Sequence, residues 1–231
     1  MKLEIDPDSE LNLNLSDEVT VISLKKIDRG NRIEVDFDKA RPLYLSLDLV
    51  YKFQLNKGVK LPYSKLRMIL QEQQNFDAKQ QALRYISARP YSEKEIRVKL
   101  SKKNYASQEI EVAIAFLKEL DYLNDYRYFE NLAQWLIEKK YYGRSRLSLE
   151  LAKKGANKNI RDQICSKLFG EDTELDAARK LIEKKKETIN RKDPSKQKTY
   201  IYNILSRNGI SSSVIRQVLE DYKFPNIDET F

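Results

Sequence analysis

Among the residues of this chain, those with positively charged side chains are the best candidates for a functional role. The role that they suit is the binding of a polyanion. They fall into three groups, each within or beside a predicted helix. The candidates are Arg84, Arg89, Arg97, Lys99, Lys102 and Lys103 in the first group, Arg144, Arg146, Lys153 and Lys154 in the second, and Lys184, Lys185, Lys186, Arg191 and Lys192 in the third. For any single residue the alternative is an ordinary solvated helix surface. The prediction of a binding face therefore rests on the groups.

Arg144 and Arg146 are the strongest candidates of the second group. They follow Tyr141-Tyr142-Gly143 at a predicted helix start, where a positive side chain gains nothing from the helix dipole and an aromatic ring offers a stacking surface. The alternative is that Tyr141 or Tyr142 packs between neighbouring helices. Reversing both arginines to glutamate is expected to weaken partner binding while the helical content stays unchanged.

The distribution of charge supports the same prediction. The chain of 231 residues has a net charge of +8, but residues 1–77 carry 12 Lys/Arg against 13 Asp/Glu, and residues 78–219 carry 30 against 18. The excess of positive charge therefore lies in the second part of the chain. It indicates nucleic acid or an acidic protein surface as the partner and does not choose between them.

Composition argues against most enzyme chemistry. The chain has no histidine and a single cysteine, so the commonest general base and the commonest soft metal ligands are missing. Neither a glycine-rich phosphate loop nor a metal-ligand spacing is present. Cys165 is expected to be a buried structural thiol, and Asp121 with Asp125 is rejected as an acid/base pair. We expect a protein that is not an enzyme and has no cofactor or metal.

No apolar run is long enough to cross a bilayer, and the lone cysteine cannot form an internal disulfide. A cytoplasmic protein without membrane contact is therefore expected.

A threefold internal repeat positions the candidate cations. Two apolar residues spaced by four precede a Gly or Asn, and two further apolar residues follow it. This spacing predicts a helix, a turn through left-handed backbone space and a second helix. The central leucines lie 51 and 54 residues apart, a period typical of tandem arrays. The copies are Ile96/Leu100/Asn104/Ile110/Ile114, Leu147/Leu151/Gly155/Ile160/Ile164 and Ile201/Leu205/Gly209/Val214/Val218.

Another helix precedes each pair, with predicted starts near Ala82, Ala133 and Ala177, so the repeat is a three-helix unit. About ten residues are inserted in the third copy between its first and second helices, within the basic segment LIEKKKETINRKDPSKQK at 181–198. Trp135 lies at helical spacing from apolar neighbours and is predicted to be a core residue.

Residues 19–46 have the alternation of β-strands, with a turn at Asp28-Arg29-Gly30-Asn31, and predict a small antiparallel sheet. A short helix capped by Ser46 and a longer helix over 62–87 follow it. Further caps are predicted at Ser92 with Glu95, which form a capping box, and at Asn124. Residues 1–18 are expected to be loosely ordered.

Three segments together resemble the RecX family, the modulators of the RecA recombinase. They are ALRYISARPYSEKEIRVKL at 82–100, FLKELDYLNDYRYFENLAQ at 116–134 and YGRSRLSLELAKKGANKNI at 142–160. Asn104, Asp121 and Asn124 depart from the family pattern at turns or caps, which Asn and Asp tolerate. In the same signature, Asp125, Arg127 and Phe129 are expected to cap and pack the repeat.

The resemblance implies a mainly α fold, an elongated curved array of three tandem three-helix repeats preceded by the small N-terminal antiparallel sheet. The expected segments are a β-rich region at 1–60, a linker helix and first repeat at 61–123, a second repeat at 124–170, and a third repeat with basic insertion and acidic tail at 171–231.

The resemblance also implies a function. A family member binds in the groove of the RecA filament on single-stranded DNA and lowers its ATPase, strand-exchange and co-protease activities without catalysis. The expected partners are the RecA filament and single-stranded DNA, with double-stranded DNA as a further candidate, and the expected state is a monomer. The alternatives are a stand-alone basic nucleic-acid-binding helical protein and, third, an unrecognised enzyme or a scaffold.

Overall fold

The computed structural model of the chain describes residues 17–27, 31–170 and 172–224. Within these ranges the chain forms four strands and ten helices, so the prediction of a mainly α fold with a small N-terminal antiparallel sheet is confirmed. The strands are β1 (Glu18–Ile27), β2 (Arg32–Phe37), β3 (Leu43–Ser46) and β4 (Lys60–Pro62). The helices are α1 (Leu47–Lys52), α2 (Tyr63–Ala88), α3 (Glu93–Ser101), α4 (Ser107–Glu119), α5 (Asp125–Lys140), α6 (Arg144–Lys154), α7 (Lys158–Leu168), α8 (Thr173–Asn190), α9 (Pro194–Arg207) and α10 (Ser212–Asp221).

The sheet has the order β3-β2-β1-β4, and all three pairings are antiparallel. The first three strands lie where alternation predicts them, whereas β4 was not predicted because its three residues are too few to show a period. Three of the four predicted turn residues, 28–30, and all but the end of the segment 1–18 lie outside the described residues. Asn31, the last turn residue, has a left-handed backbone with φ 52°.

One face of the sheet is buried together with α1 and the start of α2. Its core includes Val19, Val35, Leu45 and Ile69, each fully buried. Ser46 caps α1 as predicted, because its side chain accepts a hydrogen bond from the Leu49 amide. The helix ends at Lys52, and Phe53 is its C-cap.

The repeat pattern is confirmed in the second part of the chain. Asn104, Gly155 and Gly209 follow α3, α6 and α9 and have φ values of 59°, 108° and 76°. The central leucines, Leu100, Leu151 and Leu205, are all fully buried. Each copy is therefore a helix, a left-handed turn and a second helix, as the spacing predicts.

The first helix of the second and third repeats begins before Ala133 and Ala177, the predicted starts, and in the second repeat it begins directly after Asn124, the predicted cap. Helix α5 begins at Asp125 and α8 at Thr173, each with its cap in the preceding sequence. The basic insertion does not form a long loop, since α8 continues to Asn190 and α9 begins at Pro194. The insertion therefore lengthens two helices.

The described chain divides into two compact units. The first comprises residues up to Arg84 and residues 100–117, and the second comprises residues 85–99 and 118 onwards. The division of the sequence at residues 60, 123 and 170 stays a prediction.

Candidate partner-binding surface

Carboxylates from one repeat cap the second helix of the repeat before it. Asp125 Oδ1, at the start of α5, accepts a hydrogen bond of 2.7 Å from the Glu93 amide at the start of α3. In the next pair of repeats, Glu174 Oε1, in the first turn of α8, accepts one of 2.7 Å from the Arg144 amide at the start of α6. Its Oε2 accepts a third from the Ser211 amide, the N-cap of α10, at 3.1 Å. The first repeat is thus joined to the second in the same way as the second is joined to the third. Each of these contact regions between repeats forms a joint.

Hydrogen bonds to backbone carbonyls complete both joints. Ser92 Oγ donates a hydrogen bond of 3.3 Å to the Lys154 carbonyl, which directly precedes Gly155. The equivalent residue one period later, Gly143, donates its amide to the Asn208 carbonyl at 2.8 Å, directly before Gly209. The turn residue of each later repeat therefore lies against the helix start of the earlier one.

The predicted capping box of α3 is confirmed and takes part in the first joint. The Ser92 amide donates to Glu95 Oε2 at 3.1 Å, and the Glu95 amide donates to Ser92 Oγ at 3.3 Å. Burial opposes the charged form of Glu95, whereas hydrogen bonds from the Ser92 amide and Tyr128 Oη favour it. Together with the charges of Lys154 and Arg89 they hold the pKa of Glu95 below its usual value.

Burial is not outweighed at two neighbours of Glu95, whose pKa values are raised. It raises the pKa of Asp125, because only the hydrogen bond from the Glu93 amide and the charge of Lys118 offset it. Burial and the hydrogen bond to Glu95 raise the pKa of Tyr128 to about 12. The first joint therefore contains Glu95, whose pKa is lowered, together with Asp125, whose pKa is raised.

Three of the predicted cations in the first group lie in the first compact unit. Arg84, Lys102 and Lys103 are exposed, and none forms an ion pair with a residue that the structure describes. Their charges are therefore available to a partner.

The other members of the first group lie in the second unit and contact aromatic or acidic side chains. Arg89 stacks on the ring of Tyr91, with Cζ 3.6 Å from the ring centroid, and lies 3.6 Å from Glu95 Oε1. Lys99 Nζ lies 5.1 Å from the centroid of the same ring. Arg97 forms an ion pair of 2.7 Å with Glu93 within α3. Arg89 and Lys99 are thus brought together around Tyr91.

The second group is more strongly tied to the fold than the sequence predicts. The Arg144 guanidinium donates to the Phe169 carbonyl at 3.3 Å. Arg146 pairs with Glu150 at 3.1 Å, and its Cζ lies 5.6 Å from the Tyr142 ring centroid. Lys153 shares Glu150 at 3.0 Å, and Lys154 lies 3.7 Å from Glu95.

Tyr141 packs with the buried core of the third repeat, which agrees with the alternative that it packs between repeats, and Tyr142 packs with the core of its own repeat.

The third group lies on the lengthened α8 and on the turn after it. Lys185 is exposed and forms no ion pair within the described ranges, whereas Lys186 pairs with Glu183 and Arg191 pairs with Glu187. Lys184 Nζ lies 5.1 Å from the Tyr141 ring centroid, and Lys192 Nζ lies 4.7 Å from that of Tyr200. These contacts leave the cations largely at the surface.

Trp135 is 49% exposed. The prediction that it is a core residue is therefore wrong. The buried positions of α5 are Phe129, Ala133 and Leu136, and Trp135 falls between them on the outer side. That spacing of four and three was readable from the sequence and would have placed Trp135 outside. Tyr122 is also a surface residue, 56% exposed, and the sequence pattern does not indicate this.

The remaining signature residues have structural roles. Asn124 caps α5 by accepting the Arg127 amide at 3.1 Å, as predicted. Arg127 in turn pairs with Asp121, whose φ is 54°, and Phe129 is fully buried. Asp121 and Asp125 thus have different partners. Asn104, Asp121 and Asn124, the three departures from the family pattern, do occupy left-handed or capping positions.

Cys165 is buried as expected, and burial raises the pKa of its thiol. Among the described residues no cluster of three or more Cys, Asp or Glu side chains is arranged to hold a metal ion. The helices in the described ranges include none with the length and apolar character needed to span a membrane.

Comparisons with known proteins agree on one family. A family model described as "RecX, first three-helix domain" matches residues 78–117. A relative named "Regulatory protein RecX" from Clostridioides difficile is 30% identical over 86% of this chain and 92% of its own length. Another of that name, from Clostridium acetobutylicum, is 32% identical over 88% of this chain and 95% of its own.

Two solved structures have the same fold. The "Crystal structure of regulatory protein RecX" aligns with a TM-score of 0.72 at 20% identity, covering 88% of this chain and 100% of that one. The structure of RecX from Lactobacillus salivarius aligns with a TM-score of 0.58 at 23% identity, covering 64% and 96%. At these identities the likeness concerns the fold alone.

Proposed function

Because the chain belongs to the RecX family of regulatory proteins, we propose that it is a non-catalytic inhibitor of the RecA recombinase. It binds in the groove of the RecA filament on single-stranded DNA and lowers the ATPase, strand-exchange and co-protease activities of the filament. It acts as a monomer in the cytoplasm and needs no cofactor. The family membership is the observation that carries this proposal.

Exposed cations on the first and third repeats support the proposal. A filament is itself a periodic ligand, and a tandem array offers it contacts at intervals. Lys102 and Lys103 follow the second helix of the first repeat, and Lys185 lies on the lengthened first helix of the third. Because none of the three has an ion-pair partner among the described residues, their charges are the best placed to meet an anionic groove.

The second candidate function is that of a basic protein that binds nucleic acid without recombinase. The charge excess over residues 78–219 favours it, since neutralising phosphates is enough for non-specific binding. The two functions differ in what recombinase adds to the affinity.

The experiment is a titration of the single-stranded-DNA-dependent ATP hydrolysis of the cognate RecA with this protein, below recombinase stoichiometry. The proposal expects inhibition that persists when excess single-stranded DNA is added. If extra DNA abolishes the inhibition, or if no inhibition occurs, the modulator proposal is wrong. In the first of these cases competition for DNA explains the effect, and the second candidate function is favoured.

Charge reversal then locates the binding face. The triple variant Lys102→Glu/Lys103→Glu/Lys185→Glu is expected to raise the concentration needed for half-inhibition at least tenfold, with an unchanged circular dichroism spectrum. The matched control is Lys57→Glu/Lys60→Glu/Lys65→Glu, which reverses three exposed lysines of the first compact unit outside the candidate groups. Equal losses in both variants would mean that only the total charge matters.

A further inference from the structure

One exposed side of α5 carries aromatic and amide groups where a surface helix usually carries charges. Asn124, Tyr128, Asn131 and Trp135 follow one another at intervals of three or four residues, so they share one face of the helix. From Asn124 to Trp135 this face extends about 16 Å. The Asn131 side chain is exposed and forms no hydrogen bond with a described residue.

An open pocket of ≈ 210 Å³ adjoins this face at the N-terminal end of α5. Its walls include Ile86, Pro90 and Tyr91 on one side and Tyr122, Arg127 and Asn131 on the other. Tyr122 is 56% exposed. The pocket therefore offers apolar and aromatic walls together with an amide that can donate and accept hydrogen bonds.

Cations lie along the same surface. Arg89 and Lys99 both lie over the Tyr91 ring at the pocket, and Lys140 Nζ lies 5.7 Å from the Trp135 ring centroid at the other end. An exposed aromatic ring with a cation beside it and an uncharged amide nearby matches the three parts of a nucleotide. The ring stacks on the base, the cation approaches the phosphate, and the amide bonds to the base edge.

We propose that the α5 aromatic surface, defined as Tyr122, Asn131, Trp135 and the adjoining pocket, binds unpaired bases of a single-stranded nucleic acid. Tyr122 and Trp135 provide stacking surfaces at its two ends, and Asn131 between them bonds to a base edge. A protein partner is the less favoured occupant, because Asn124, Arg127 and Asn131 lie along the chain between the two exposed rings, and the core of a protein interface is depleted of charged residues. This binding needs no recombinase, so it does not rest on inhibition of RecA, and it gives the second candidate function a site and a ligand class.

The experiment uses the full chain, in which Trp135 is the only tryptophan, so that intrinsic tryptophan fluorescence reports on this surface. A 15-nucleotide oligo(dT) is expected to quench the fluorescence, because a stacked base contacts the indole ring. An oligonucleotide of the same length with abasic sites throughout has the same phosphates and is expected to leave the fluorescence nearly unchanged. Oligo(rU) of equal length distinguishes RNA from DNA as the source of the bases.

Single substitutions test each part by fluorescence anisotropy with a labelled oligo(dT). Trp135→Ala and Tyr122→Ala are each expected to weaken binding about tenfold, and Trp135→Phe is expected to retain most of the affinity because it retains a ring. Tyr202→Ala is the matched control, since Tyr202 is an exposed aromatic residue, 48% accessible, on α9 outside this surface. Its affinity is expected to equal that of the unaltered chain.

Three results would overturn the proposal. The first is equal quenching by the abasic strand, which would mean that phosphates alone are bound. The second is equal affinity of the Trp135→Ala, Tyr122→Ala and Tyr202→Ala variants. The third is a fluorescence change that requires recombinase and does not occur with any oligonucleotide, which would assign the surface to a protein partner.

Discussion

Gly143 and Gly209, one from each of the last two repeats, are in direct backbone contact. A Cβ atom on Gly143 would overlap the carbonyl group of Gly209, and one on Gly209 would overlap the backbone of Arg146. The Gly143 amide donates to the carbonyl of the neighbouring Asn208 at 2.8 Å. Only two residues without side chains allow the turn of the third repeat to approach the start of α6 this closely.

We therefore expect Gly143→Ala to destabilise the protein. The added methyl group must displace backbone atoms, and overpacking of this kind costs roughly 1–3 kcal/mol. Thermal unfolding followed by circular dichroism measures the effect. Gly170→Ala is the control, because the nearest atom to its Cβ is 3.9 Å away, and equal melting temperatures for the two variants would contradict the prediction.

Glu174→Ala is expected to loosen the joint between the last two repeats. It removes the acceptor for the Arg144 and Ser211 amides at once, and a lost helix cap costs about 0.5–2 kcal/mol. Glu183→Ala, on the solvent-exposed side of the same helix, should change the free energy of unfolding by less than about 0.5 kcal/mol. If urea unfolding finds the two variants alike, the joint does not depend on Glu174.

Glu95→Gln is expected to reduce stability at neutral pH and to matter less in acid. The pKa of Glu95 is lower in the folded chain than its ordinary value of 4.5, so its charge contributes stability above that value, and this contribution is lost as the pH falls through the folded-state pKa. Melting temperatures of both proteins near pH 7 and below about pH 4 measure this difference. A gap of equal size at both pH values would rule out ionisation as its cause.

Arg146→Glu is expected to lower the melting temperature, contrary to the expectation from the sequence that reversal at Arg144 and Arg146 leaves the fold intact. The variant replaces the 3.1 Å pair with Glu150 by two like charges one turn apart, at a cost of roughly 1 kcal/mol. The double variant Arg146→Glu/Glu150→Arg should recover most of the loss. Failure of the charge swap would mean that the buried stem of Arg146, and not its charge, supports the fold.

The repeat was predictable because its information is local. Turn residues such as Asn104 and Gly155 and caps such as Asn124 act within a few residues of their own positions, and the structure has them where the spacing predicts. Asp125 and Glu174 were not predictable as joint residues, since their partners lie 32, 30 and 37 positions away. The period of a repeat does not predict which acidic residue accepts a hydrogen bond from which helix start.

The candidate site divides in the same way. Its charges follow from composition, but their availability depends on which acids the fold brings near. Helix periodicity identifies the pair of Arg146 with Glu150, which lies four positions later on the same helix. It does not identify the pair of Lys154 with Glu95, which lie 3.7 Å apart although they are far apart in the sequence. For Trp135 the apolar neighbours Leu132 and Leu136 predict a core position, whereas the buried series Phe129, Ala133 and Leu136 leaves it on the outer side of α5.

The capping carboxylates also determine where an anion cannot bind. The start of a helix ordinarily presents free N–H groups to phosphate, but Asp125 and Glu174 already accept a hydrogen bond from one such group at the starts of α3, α6 and α10. A nucleic-acid backbone that approaches these three helix ends meets a resident negative charge. The capping carboxylates therefore weaken the attraction of these helix starts for phosphate, which leaves lysine and arginine side chains, and not helix dipoles, to attract the polyanion.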